Sequence, residues 1–111
     1  VYSIQKGYDL MFLYDIQCNT GVDNIAFDRQ GTLLAGCHPK LLTFVKHSKN
    51  EQAIAPSEII KITFTDSGYK TETEFLDDGN LIQSSTVGVR YNSSLLIGSV
   101  FDNHILDCSS K

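Results

Sequence analysis

Ten short runs rich in β-branched and aromatic residues succeed one another at residues 1–6, 10–16, 24–28, 32–37, 41–46, 58–65, 71–76, 86–91, 95–101 and 105–108, each bounded by turn-forming residues. No window keeps apolar residues at helical spacing for three turns. Such a chain is expected to be all-β. Asp28-Arg29-Gln30-Gly31 and Asp77-Asp78-Gly79-Asn80 have turn chemistry, since glycine reaches positive φ at little cost, and both are expected to connect hairpins. The polar stretch 47–57, with Lys49, Asn50, Glu51 and Pro56, reads as a surface loop. Phe12, Phe27, Phe44, Phe64 and Phe101 fall at strand spacing and are expected in the core.

The chain also repeats itself. Ile25, Phe27, Leu33, Leu34 and Gly36 match Val87, Val89, Leu95, Leu96 and Gly98, each 62 positions later. Both copies read strand, polar turn, Leu-Leu-x-Gly strand. Self-similarity at roughly 40 to 50 residues marks propeller blades, each a four-stranded sheet that packs on its neighbours. The longer spacing is accounted for by the loop near residues 47–57. Two copies and a leading strand pair amount to about two blades, whereas a closed ring needs roughly four. Residues 1–111 therefore read as one portion of a propeller domain, incomplete as given, whose faces and edges require more sequence or a partner to cover them.

Composition narrows the function. With 41% hydrophobic and 20% charged residues the chain is ordinary for a folded domain. Its net charge of −4, with nine scattered Lys and Arg, is the wrong footprint for nucleic acid. No apolar run approaches the roughly 20 residues of a membrane helix. The chain opens at Val1 in strand-like sequence, so preceding sequence is expected to be absent. Cys18, Cys37 and Cys108 cannot all pair with one another. Asn92-Ser93-Ser94 is a glycosylation sequon in a polar turn, a tripeptide that also arises by chance; a glycan there implies a secreted protein.

Asp23 and Asn24 carry the strongest candidate chemistry, at the entry to what reads as a buried strand. Taken alone the dipeptide has the makings of a turn or cap. It also offers two hard oxygen donors, and calcium takes six to eight. A metal site built here would need further ligands. Cys37 lacks the visible activating base of a catalytic thiol and reads as a small buried hydrophobe. His47 and His104 read as surface residues.

Val22-Asp23-Asn24-Ile25, followed by Gly36-Cys37-His38-Pro39, resembles the serum paraoxonase and arylesterase family, whose segments read Val-Asp-Asn-Ile and Gly-Cys-His-Pro. Ser84-Ser85-Thr86-Val87 is similar to that family's Gly-Ser-Thr-Val, and Leu95-Leu96-Ile97-Gly98-Ser99-Val100-Phe101 to its Leu-Leu-Ile-Gly-Thr-Val-Phe. The match is collinear over about residues 1–108. The resemblance implies the C-terminal portion of a six-bladed β-propeller whose channel holds two calcium ions, one structural and one catalytic. Asp23 and Asn24 correspond to two ligands of the catalytic ion, while the remaining ligands and a histidine pair lie in sequence before Val1. His38 corresponds to a residue near the pocket mouth, its plainer reading being a strand-end histidine bonded to a backbone carbonyl. Ser85, Thr86 and Val100 correspond to pocket-lining positions, with strand packing as the alternative. Cys37 corresponds to a free cysteine. Cys108 corresponds to one joined by a disulfide to a cysteine near the N-terminus, outside this chain, and Cys18 has no counterpart.

The implied activity is calcium-dependent hydrolysis of aryl esters, lactones or organophosphates, with this fragment inactive alone. The alternative is a paraoxonase-like, non-catalytic chaperone for membrane ion channels, and an unrelated propeller of the gluconolactonase type is a third. The implied setting is secreted or extracellular, or membrane-associated, with a lipoprotein or membrane surface reached through the absent N-terminus. Lys40-Leu41 stands where the family has Asn-Gly, and Ser109-Ser110-Lys111 extends beyond its usual end, so substrate preference does not transfer.

Overall fold

The computed structural model describes residues 1–50 and 52–109; Glu51, Ser110-Lys111 and the side chain of His47, with the surface placement expected for it, lie outside the described residues. Among the described residues the architecture is all-β apart from one short helix. Strands β1 (Tyr2–Ile4) and β2 (Leu10–Phe12) form a hairpin. β3 (Gly21–Phe27), β4 (Leu33–His38), β5 (Ser57–Thr65) and β6 (Gly68–Asp77) form a four-stranded antiparallel meander. β7 (Ser85–Tyr91), β8 (Ser94–Ser99) and β9 (Leu106–Ser109) form a three-stranded one.

The two larger sheets stack face to face, and β4 shows why. All six of its residues are buried, the near-continuous pattern of a strand covered on both sides. Leu33, Ala35 and Cys37 point to one face and join Ile60 and Ile62, with Ile16, Cys18 and Tyr69 packed against them. Leu34 points to the other and meets Ile59, Ile82, Leu95 and Ile97 between the sheets. Ile59 and Ile60 of β5, paired in regular register with Gly36 and Ala35, fall on opposite faces as successive strand residues do and so join the two different clusters. Arg90 of β7 ion-pairs with Glu74 of β6, adding a polar tie across the stack.

Two glycines allow the sheets to approach. A Cβ on Gly36 would meet the Thr86 carbonyl carbon at 2.2 Å, and one on Gly88 would meet the Ile59 side chain at 2.8 Å. The sequence repeat is also a structural one: β3–β4 and β7–β8 are equivalent hairpins, and each carries an irregularity at the same place, Val22 to Ile25 in one and Ser85 to Val87 in the other.

Four expectations need correction. Residues 41–46 are not a strand but the start of helix α1 (Leu41–Lys49). At nine residues the helix spans about two and a half turns, too short to register as sustained periodicity, and its apolar composition mimics a strand. The loop expected at 47–57 is correspondingly shorter, and its end is not superficial, because Ala55 and Ser57 are buried. Asp77–Asn80 does not connect a hairpin: it leads from β6 into the next sheet, with the Asp77 carboxylate accepting hydrogen bonds from the Gly79 and Leu81 amides. Asp28–Gly31 does connect one, the Asp28 carboxylate accepting from the Gln30 and Thr32 amides at 2.8 Å each.

The fourth concerns burial at the exposed faces. Val22, Ile25 and Phe27 of β3 are exposed, as are Phe12, Phe101 and, least of them, Phe64, whereas Phe44 is half-buried. β3 is an edge strand, and among the described residues no sheet covers the face that carries its Val22, Ile25 and Phe27. Phe75, which strand spacing did not single out, packs on the buried cluster instead.

Candidate functional site

The leading strands of the two stacked sheets, β3 and β7, lie against each other. Asp23-Asn24 and Ser85-Thr86 are 62 positions apart, so the repeat places them at corresponding points of consecutive sheets. In β3, Asp23 and Asn24 together oppose Gly36, which makes the irregularity a bulge. A bulge breaks the alternation of side chains and re-aims them, and here it falls on the two residues with oxygen donors. Asn24 is exposed and the Asp23 side chain is 38% exposed.

Ser85 and Thr86 are held more tightly. Ser85 is fully buried; its hydroxyl accepts a hydrogen bond from the Glu58 amide at 3.0 Å and donates toward the carbonyls of Glu58 at 3.0 Å and Cys37 at 3.3 Å. Its own amide donates to Ser57 Oγ at 3.0 Å. Ser85 thus stitches β7 to β4 and β5. Thr86 is half-buried, with its hydroxyl 3.4 Å from the Gly98 carbonyl. Val100 is partly exposed, and its amide donates to the Ser84 carbonyl at 3.3 Å.

His38 closes β4 opposite Gly21 and is only 5% exposed. It faces a carboxylate rather than the backbone carbonyl its strand-end position suggested: Nε2 stands 3.5 Å from Asp23 Oδ2. Its ring stacks on Phe44 of α1, centroids 3.7 Å apart and planes 17° off parallel. Reading residues 41–46 as a strand hid this contact, because only a helical turn brings Phe44 back over the end of β4. Glu58 was also missed. It is half-buried and accepts from Thr20 Oγ1 at 2.9 Å and Thr73 Oγ1 at 3.2 Å. Nothing in the sequence marks it, since its role comes from strand register.

All three cysteines are free within this chain. Burial pushes the Cys37 thiol up to about 12, with the Glu58 charge and then Cys18 adding to the rise. Desolvation also raises Cys18 and Cys108. Thiolate being the reactive form, Cys37 stays a neutral, inert thiol through the physiological range. Alkylation at pH 8 is expected to label Cys37 only after denaturant unfolds the protein, read by peptide mass; rapid labelling of the native state would contradict this environment.

Cys108 is half-buried in β9, Asn92 is exposed in the β7–β8 turn, and His104 is exposed with Nε2 3.2 Å from the Leu81 carbonyl. Among the described residues no group of three or more His, Cys, Asp or Glu side chains could hold a metal ion. At the β3 bulge the described residues present two adjacent oxygen donors, not a complete cation cage.

The sequence model of the family described as Arylesterase matches residues 1–109. The chain is 36% identical over 105 residues to human (Homo sapiens) serum paraoxonase/arylesterase 1, which covers 91% of this chain and 28% of that protein. It is 33% identical over 96 residues to serum paraoxonase/lactonase 3 of Oryctolagus cuniculus, covering 85% of this chain and 27% of that protein. Serum paraoxonase/arylesterase 2 of Bos taurus is 34% identical over 89 residues, covering 78% and 24%. The chain thus spans about a quarter of the length of these relatives, and it belongs to the arylesterase family.

Proposed function

We propose that this chain is the C-terminal part of a calcium-dependent hydrolase of aryl esters and lactones, that it supplies two of the calcium ligands, and that it has no activity by itself. The observation that carries the reading is the β3 bulge, which presents the adjacent oxygen donors Asp23 and Asn24, partly open, where two stacked sheets meet. These donors suit a hard cation: one anionic carboxylate and one neutral amide oxygen, with no soft ligand between them. The names of the relatives, arylesterase and lactonase, support the class of substrate.

Calcium held there would polarise the substrate's carbonyl oxygen and stabilise the charge that develops as water attacks. The chain's own residues divide the supporting work. Asp23 contributes negative charge and Asn24 a carbonyl oxygen to the cation. Thr86 and Val100 are assigned to the substrate pocket, and buried Ser85 fixes the strand that carries Thr86. Neither Asp23 nor Asn24 is assigned proton transfer.

In this reading the remaining ligands and blades come from preceding sequence, completing a six-bladed ring. Cys108 is linked by a disulfide to a cysteine in that sequence, and Asn92 carries a glycan in a secreted protein. The alkylation experiment above separates the disulfide: in the unreduced full-length protein, Cys108 should resist labelling even after unfolding. The metal dependence is tested by assaying the full-length protein on an aryl ester and a lactone. Chelation should abolish both activities and added calcium restore them; hydrolysis persisting in chelator would overturn the reading.

A further inference from the structure

We propose that Phe44 and His38 set the direction of the Asp23 carboxylate, so that helix α1 governs how tightly the β3 oxygen pair holds its cation. The proposal rests on the calcium reading above and assigns both residues as positioning residues.

Three observations converge. His38 is 5% exposed and stacks nearly flat on Phe44, so its ring has little freedom to turn. Its Nε2 reaches Asp23 Oδ2 at 3.5 Å, while its buried Nδ1 has no hydrogen-bond partner. The ring's polar engagement is therefore with Asp23. Asp23 itself sits in a bulge, where backbone pairing constrains it less than in a regular ladder. Its direction depends on what its carboxylate meets.

The local sequence builds this arrangement. β4 ends at His38, Pro39 breaks the strand, and α1 starts at Leu41, so one turn later Phe44 lies over the imidazole. With Oδ2 facing His38, Oδ1 is left for a cation. A carboxylate fixed in this way loses less freedom on binding metal than one that wanders. Outer partners of metal-bound carboxylates commonly change affinity by roughly 10–100-fold when removed.

The test is calcium titration calorimetry on the full-length protein. His38→Ala and Phe44→Leu are each expected to raise the calcium dissociation constant about tenfold. His38→Gln, which returns an N–H near the Nε2 position, should recover most of it. Phe75→Leu, in the apolar cluster between the sheets, should lower the melting temperature without changing calcium affinity. In an Asp23→Asn background Phe44→Leu should add nothing. If Asp23→Asn weakens binding while His38→Ala and Phe44→Leu keep the wild-type constant, this proposal is overturned and the calcium site stands. If Asp23→Asn itself binds calcium unchanged, the site falls and the proposal with it. Should His38→Ala not fold, the Phe44→Leu constant decides.

Discussion

Gly36→Ala is expected to destabilise the full-length protein by about 3 kcal/mol or more, at or beyond the upper end of ordinary overpacking. The added Cβ would lie 2.2 Å from the Thr86 carbonyl carbon, 2.4 Å from its oxygen and 2.4 Å from the Val87 amide nitrogen. These are backbone atoms of β7, so relief requires moving a strand that Ser85 bonds to its neighbours. Gly88→Ala is a gentler case, since its new methyl meets the Ile59 side chain, which has rotamers to use. Urea unfolding of both variants measures the difference. A Gly36→Ala protein as stable as wild type would mean that the sheets do not stack this closely.

Asp23→Ala is expected to lower kcat/KM for aryl ester and lactone hydrolysis about a hundredfold or more, the scale of removing one group that stabilises transition-state charge. The substitution removes the anionic member of the donor pair and leaves Asn24, a weaker neutral oxygen. It also takes away the group that faces His38 Nε2, so the loss acts on both the ion and its support. Asn24→Ala should cost less, because a neutral donor contributes less to holding a divalent ion. Steady-state kinetics at saturating calcium checks the order: equal and small effects at the two positions would contradict the assignment.

Much of the fold was legible because strands announce themselves locally. Runs such as Ser57–Thr65 are rich in β-branched residues and bounded by turn formers, and the structure keeps nearly all of them. The 62-residue echo was legible for a deeper reason. Ile25, Phe27, Leu33, Leu34 and Gly36 repeat as Val87, Val89, Leu95, Leu96 and Gly98 because the two hairpins meet the same packing demands, including corresponding irregularities at Asp23-Asn24 and Ser85-Thr86.

What stayed hidden depended on contacts between distant residues. Leu41-Leu42-Thr43-Phe44-Val45 satisfies strand and short-helix patterns equally, and only the packing of Phe44 on His38 distinguishes them. Asp77–Asn80 has the composition of a hairpin turn, yet Ile82 and Ser85 bury themselves in the neighbouring stack and carry the chain onward. Ile25 and Phe27 are exposed because the described residues leave their face of β3 uncovered, a matter of tertiary packing that strand pattern does not encode.

Calcium binding at the β3 bulge is read by calorimetric titration of the full-length protein against its Asp23→Ala variant. One calcium-binding event seen in the wild-type protein is expected to be lost or weakened about a hundredfold in the variant, with the melting temperature in calcium-free buffer little changed. Identical isotherms for the two proteins would contradict it.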